Sequence, residues 1–63
     1  MKTGIYETEY GNAAIVSEDI SKEFAYDLDS AEIIPLQMIT SRWLRPADEE
    51  ELEDFIYNIE RGL

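Results

Sequence analysis

Carboxylates make up most of the chemical inventory of this sequence. Its 63 residues hold 15 Asp and Glu against 5 Lys and Arg, with no histidine and no cysteine, for a formal charge of −10. Without histidine there is no imidazole to shuttle protons or ligate zinc, and without cysteine there is no thiolate nucleophile, thiolate metal site or disulfide. Ser-His-Asp and Cys-His constellations are therefore excluded. The three glycines form neither a phosphate-binding loop nor a dinucleotide fingerprint, and Lys2 and Lys22 stand in polar settings. Paired carboxylates can hydrolyse a glycosidic bond, but that reaction needs a cleft able to bury a sugar, which so short a chain can scarcely line. The sequence thus predicts no catalytic residues, no cofactor and no enzymatic activity.

Three clusters remain to be weighed. Asp27-Leu28-Asp29-Ser30-Ala31-Glu32 places acids at positions 1 and 3 of a calcium-type loop, but Glu32 stands where that loop needs glycine and Ile39 where it needs glutamate. A hairpin turn is the better reading, and no metal site is expected. Arg42-Trp43-Leu44-Arg45 has the composition of an interface anchor. The plainer reading makes Trp43 a core side chain and pairs Arg42 and Arg45 with the protein's own acids. Among the four tyrosines, Tyr26 reads as core, whereas Tyr6, Tyr10 and Tyr57 fit its edge or a contact surface.

The third cluster is the acidic C-terminal segment. Residues 1–47 carry 8 acids and 4 bases, whereas residues 48–63 carry 7 acids and 1 base. If that segment is a helix, Glu49, Glu53 and Glu60 share one flank with Tyr57 close by, and Glu50 and Asp54 lie further round. Carboxylates one helical turn apart are spaced by about 6 Å, comparable with phosphates along a nucleic-acid strand. An ordinary solvated face is the plain alternative, but Glu49–Glu53 and Glu50–Asp54 are like-charge pairs at i,i+4, which cost helix stability.

The elements that must position these residues follow from periodicity and turn chemistry. Lys2 to Val16 reads as a hairpin around Gly11-Asn12. A two-residue loop pairs Tyr10 with Ala13 and Thr8 with Ile15; a three-residue loop with a bulge brings Tyr6 toward Val16 and Thr8 toward Ala14. A second hairpin is expected over about residues 22–35, with Phe24, Tyr26 and Leu28 on one face and a turn at Asp29-Ser30-Ala31. Pro35 interrupts strand pairing, Leu36-Gln37-Met38 suits a short helical turn, and Ile39 to Leu44 forms a last strand with Ile39, Ser41 and Trp43 on one side.

Pro46 closes the β region, so a helix is expected over about 47–61. Asp48 and Glu51 form a capping box, and Glu49, Glu50 and Glu51 favour the positive end of the helix dipole. Leu52, Phe55, Ile56, Ile59 and Leu63 recur at i, i+3, i+4, i+7 and i+11 and define the core stripe, while Arg61 and Gly62 supply a stop signal. The predicted fold is α+β: a four- to five-stranded antiparallel β-meander or small barrel, followed by one C-terminal amphipathic helix, in a single domain. The strand spacing, with a short turn before the fifth strand, resembles SH3-like barrels. No other family resemblance, repeat or linker is visible.

An apolar content of 44% with seven aromatics predicts a folded chain. No apolar run approaches a membrane span, and no apolar signal core follows Met1-Lys2-Thr3-Gly4, so a soluble, cytoplasmic protein is expected. A charge of −10 repels phosphate backbones and anionic lipid, so direct nucleic-acid and membrane contacts are not expected, whereas a basic protein is attracted. The leading expectation is a non-enzymatic acidic binding module: a small inhibitor or regulator that docks on a basic, nucleic-acid-binding protein by charge mimicry. Glu49, Glu50, Glu53, Asp54, Tyr57 and Glu60 form its partner surface. Compact chains of this kind are common among phage and mobile-element accessory proteins. The alternative is a structural subunit or homo-oligomer that uses an aromatic surface around Tyr6, Tyr10 and Trp43, with Arg42 beside it.

Overall fold

Five strands and one α-helix account for most of the computed structural model, which describes residues 1–62. In chain order they are β1 (Gly4–Thr8), β2 (Ala13–Val16), β3 (Phe24–Asp27), β4 (Glu32–Pro35), a 3-10 turn (Leu36–Met38), β5 (Ile39–Arg45) and α1 (Glu49–Gly62). The strands form a single antiparallel sheet in the order β4-β3-β2-β1-β5. The first four are therefore a meander, and β5 returns across the molecule to pair with β1. β4 and β5 are the two edges of this sheet, so the barrel form of the sequence expectation is left unclosed and the meander form holds.

The first hairpin adopts neither of the two expected registers. Gly4, Ile5, Tyr6 and Glu7 face Val16, Ile15, Ala14 and Ala13. The cause is Thr8, which closes the loop with both its backbone and its hydroxyl. Its N–H donates to the Asn12 carbonyl at 2.8 Å, and its carbonyl accepts from Gly11 N–H at 2.9 Å. Its Oγ1 accepts from the N–H groups of Tyr10 (3.2 Å) and Asn12 (3.1 Å). The loop is thus Glu9-Tyr10-Gly11, and Gly11 takes the left-handed conformation (φ 83°) that such three-residue loops require. Asn12 lies just outside that loop, as the residue before β2.

Because the pleat alternates, the sheet carries apolar side chains on both faces. On one face Ile5, Ile15 and Tyr26 pack against Phe55 of α1, with Leu52 and Ile59 of α1 and Ile20, Leu28 and Ile33 around them. The Tyr26 and Phe55 rings stack at 6.3 Å with planes 11° apart. On the other face Tyr6, Val16 and Ala25 are covered by Ile34, Leu36, Ile39 and Trp43. β4, the 3-10 turn and β5 supply that second cover; Ile39 and Trp43 share it as expected, whereas Ser41 is exposed. Trp43 fits there because residue 4 is glycine: a Cβ at Gly4 would lie 2.0 Å from Trp43 Cζ3.

The helix rests on β2, β3 and β4 through a narrower stripe than the sequence predicts. Phe55 is fully buried and Leu52 and Ile59 partly so, but Ile56 is 41% exposed. A sheet this small offers the helix about one row of contact, and Ile56 falls beyond its rim. Gly62 is inside the helix as described instead of after its end; Leu63 lies outside the described residues. No helix among the described residues is long and apolar enough to cross a membrane.

Candidate protein-docking surface

The acidic face of α1 is fixed at its base by a reciprocal cap. Glu51 N–H donates to Asp48 Oδ1 at 2.8 Å, and Asp48 N–H donates back to Glu51 Oε1 at 3.0 Å. These bonds satisfy two of the backbone donors that the first helical turn leaves unpaired. Arg45, the last residue of β5, then grips the same carboxylate with both nitrogens, Nη1 to Oε1 at 2.9 Å and Nη2 to Oε2 at 2.6 Å. The Arg45 hydrogen bonds, then the Asp48 N–H, hold the Glu51 carboxyl down at about 2 against a partial opposing effect of burial. Glu51 is therefore a structural acid: it ties the helix start to the sheet edge and sets the direction in which α1 leaves the strand.

The other acids of the helix are not used in this way. Glu49, Glu50, Glu53, Asp54 and Glu60 are all exposed, as is Tyr57 at 57%. Glu49, Glu50 and Glu53 line a shallow open depression with Asp48 at the start of the helix. Among the described residues the salt bridges are Arg45–Glu51 and the N-terminal ammonium with Glu18, so none of these five carboxylates has a cation in range. Arg61, the base in the last turn, is engaged elsewhere. Its Nη1 donates to Tyr57 Oη at 3.0 Å, and its guanidinium lies 5.2 Å from the centre of that ring. The six residues expected to form a partner surface are thus all solvent-facing on one helix, and the five carboxylates among them have no cation partner among the described residues.

The alternative aromatic surface is not assembled. Tyr6 is only 6% exposed, its ring meets Trp43 edge-on at 5.6 Å, and its hydroxyl donates to the Lys2 carbonyl at 2.6 Å. Its place in the sheet explains this: it lies on the inward face of β1, opposite Ala14 and Trp43. Trp43 is half-buried over Gly4 with Lys2 Nζ 4.5 Å above its ring, which favours the plainer reading of this residue as core. Tyr10, at 77% exposed, sits alone at the hairpin tip. Of the two arginines expected to pair with internal acids, Arg45 does so; Arg42 is exposed and has no acid within salt-bridge distance among the described residues.

Asp27, read from the sequence only as part of a hairpin turn, is a buried carboxylate that organises the β3–β4 turn. Asp27 is 4% exposed and accepts three hydrogen bonds: from Asn12 Nδ2 at 3.0 Å, Asp29 N–H at 2.9 Å and Ser30 N–H at 3.1 Å. Burial acts to raise its pKa, and the three donors together outweigh burial and leave it below the ordinary aspartate value. Asp29 Oδ2 in turn accepts from Ala13 N–H at 2.9 Å. Asp27 and Asp29, the acids at positions 1 and 3 of the calcium-like segment, are therefore committed to the fold, and among the described residues no three acidic side chains converge to hold a metal ion. The signal in the sequence was Asp27-x-Asp29-Ser30, a pattern suited to a side chain bonding N–H groups two and three residues on.

Compared with protein-family models, with curated proteins and with solved structures, the chain finds no match.

Proposed function

We propose that this protein is a non-enzymatic binding module whose C-terminal helix docks on a basic protein. In its most specific form it is an inhibitor or regulator that occupies the nucleic-acid-binding surface of its partner by charge mimicry. The observation that carries this reading is the sorting of the helical acids. Glu51 is bound by the fold, whereas Glu49, Glu50, Glu53, Asp54 and Glu60 are exposed and unpaired among the described residues. Five like charges on about three turns of helix repel one another, and i,i+4 lysines would relieve the repulsion at no cost to the core. A rigid helix also presents those charges already ordered, so docking loses little conformational entropy. Charge of this density steers a basic partner from a distance and opposes nucleic acid.

The experiment is affinity capture on the immobilised protein along a salt gradient, followed by a DNA-binding assay on whatever is retained. The expected result is a basic protein that elutes as salt rises and loses DNA binding when this protein is added. Reversal of Glu50, Glu53 and Asp54 to lysine should abolish capture while leaving the circular dichroism unchanged. Salt-insensitive capture, or full capture by the triple variant, would refute the proposal.

A further inference from the structure

The displacement of Ile56 from the core stripe to the surface bears on what kind of partner the helix fits. Glu49, Glu53, Ile56 and Glu60 follow one another at intervals of four, three and four residues along α1. At 1.5 Å per residue they stand at about 0, 6, 10.5 and 16.5 Å along the axis. Where a phosphate-like ladder would continue with a third carboxylate, this row has a branched apolar side chain, 41% exposed, with Tyr57 beside it at 57%. An apolar centre inside a charged rim is the anatomy of a protein contact.

We propose that this row seats a basic amphipathic helix of the partner, with an apolar residue over Ile56 and lysine or arginine against Glu49, Glu53 and Glu60. The inference rests on the docking function proposed above and narrows it from charge alone to charge around an apolar contact. Spacing favours a helix as the occupant. Residues on one face of a second helix recur at the same four-three-four intervals, in either chain direction. An extended strand repeats a face about every 7 Å, so its third residue falls at about 13.5 Å, between Ile56 and Glu60. A second copy of this chain does not fit, because its α1 would set glutamates against glutamates. Arg61 leaves the row open to outside cations, since its guanidinium is held on the Tyr57 ring.

The test is fluorescence anisotropy of the full protein with two labelled, tryptophan-free helical peptides of equal charge. One carries lysine, lysine, leucine and lysine at those intervals and is made in both sequence directions; the control replaces every leucine by glutamine. The patterned peptide is expected to bind about tenfold more tightly at physiological salt. Ile56→Ser should erase that preference and Ile56→Val should retain it, whereas Glu53→Gln should weaken both peptides. Equal binding of the two peptides would overturn the helix inference and leave docking by charge standing; failure of both to bind would overturn the two together. Ile56 is a surface residue, so far-UV circular dichroism of Ile56→Ser should match the parent, and a preference unchanged in that folded variant would equally overturn the proposal.

Discussion

Replacing Glu51 tests whether one carboxylate fixes the direction of the acidic helix. Glu51→Ala removes the return bond to Asp48 N–H and both bonds from Arg45; Glu51→Gln keeps an acceptor for the cap but loses the charge that Arg45 grips. A helix cap contributes about 1 kcal/mol. The pKa displacement from 4.5 to about 2 would convert to roughly 3 kcal/mol if fully realised. Arg45 is half-exposed, however, and solvent screening reduces an ion pair in that setting to about 1 kcal/mol. Glu51→Ala should therefore cost about 2 kcal/mol and Glu51→Gln about 1 kcal/mol near neutral pH. The sign of the pH dependence follows from a folded-state pKa below the unfolded one. The stabilisation is fully present above 4.5 and is lost as pH falls from 4.5 through about 2, below which the parent carboxyl is neutral like glutamine. Urea denaturation of parent and Glu51→Gln at a series of pH values measures the gap between them directly. A gap of about 1 kcal/mol that closes across that window is expected. No gap near neutrality, or one that persists unchanged at the acid end, would refute the claim that Glu51 is held by charge.

Three further substitutions have defined outcomes. Gly4→Ala should cost about 2–3 kcal/mol, because its Cβ displaces the Trp43 ring and breaks the contact with Tyr6, and the cost should fall below about 1 kcal/mol in a Trp43→Leu background; chemical denaturation of the four proteins of that cycle checks it. Asp27→Ala should cost about 2–3 kcal/mol by leaving two backbone N–H groups and the Asn12 amide without their acceptor. The Asp27 contribution, like that of Glu51, is present above the ordinary carboxylate pKa and lost in acid, so thermal melts of parent and variant should converge at low pH. Glu60→Lys should raise stability by about 0.3–1 kcal/mol, by placing a cation near the negative end of the helix, and should weaken capture of the basic partner; a variant that is less stable, or that binds as well as the parent, counts against the assignment.

What could be read in the sequence was local. The helix, its Asp48–Glu51 box and the five strands follow from periodicity and from Pro35 and Pro46, because each signal lies within a few residues of the structure it specifies. The register of the first hairpin could not be read, since it depends on Thr8 using its hydroxyl twice, and a Gly-Asn pair points to a shorter loop. Ile56 was misplaced for a geometric reason. A helical wheel shows which residues share an arc, but the width of the buried arc depends on how much sheet lies beneath it. Tyr6 fits the core edge or a contact surface on sequence alone, because nothing within β1 tells that β5 will pair with it and put Trp43 against it. The exposed acids were legible because a charged residue flanking an apolar stripe has nowhere to go but solvent; the grip of Arg45 on Glu51 emerged only with the strand-to-helix corner in view.

The placement of charge on α1 sorts by physical cause. Glu49, Glu50 and Glu51 stand in the first turn, where the helix dipole favours them, so their presence needs no partner to account for it. Glu53 and Asp54 gain nothing from the dipole and lie one turn beyond Glu49 and Glu50, where like charges repel. Glu60 stands in the last turn, where the dipole opposes a carboxylate outright. Asp48 and Glu51 hold the start of the helix; Glu53, Asp54 and Glu60 weaken the same helix and touch no cation among the described residues. Acids kept where folding alone disfavours them are the ones a docking function would retain, and they lie beside Ile56 and Tyr57, the two large apolar side chains the helix leaves exposed among its described residues. A helix shaped only by its own stability would place those charges at its beginning and bury that isoleucine.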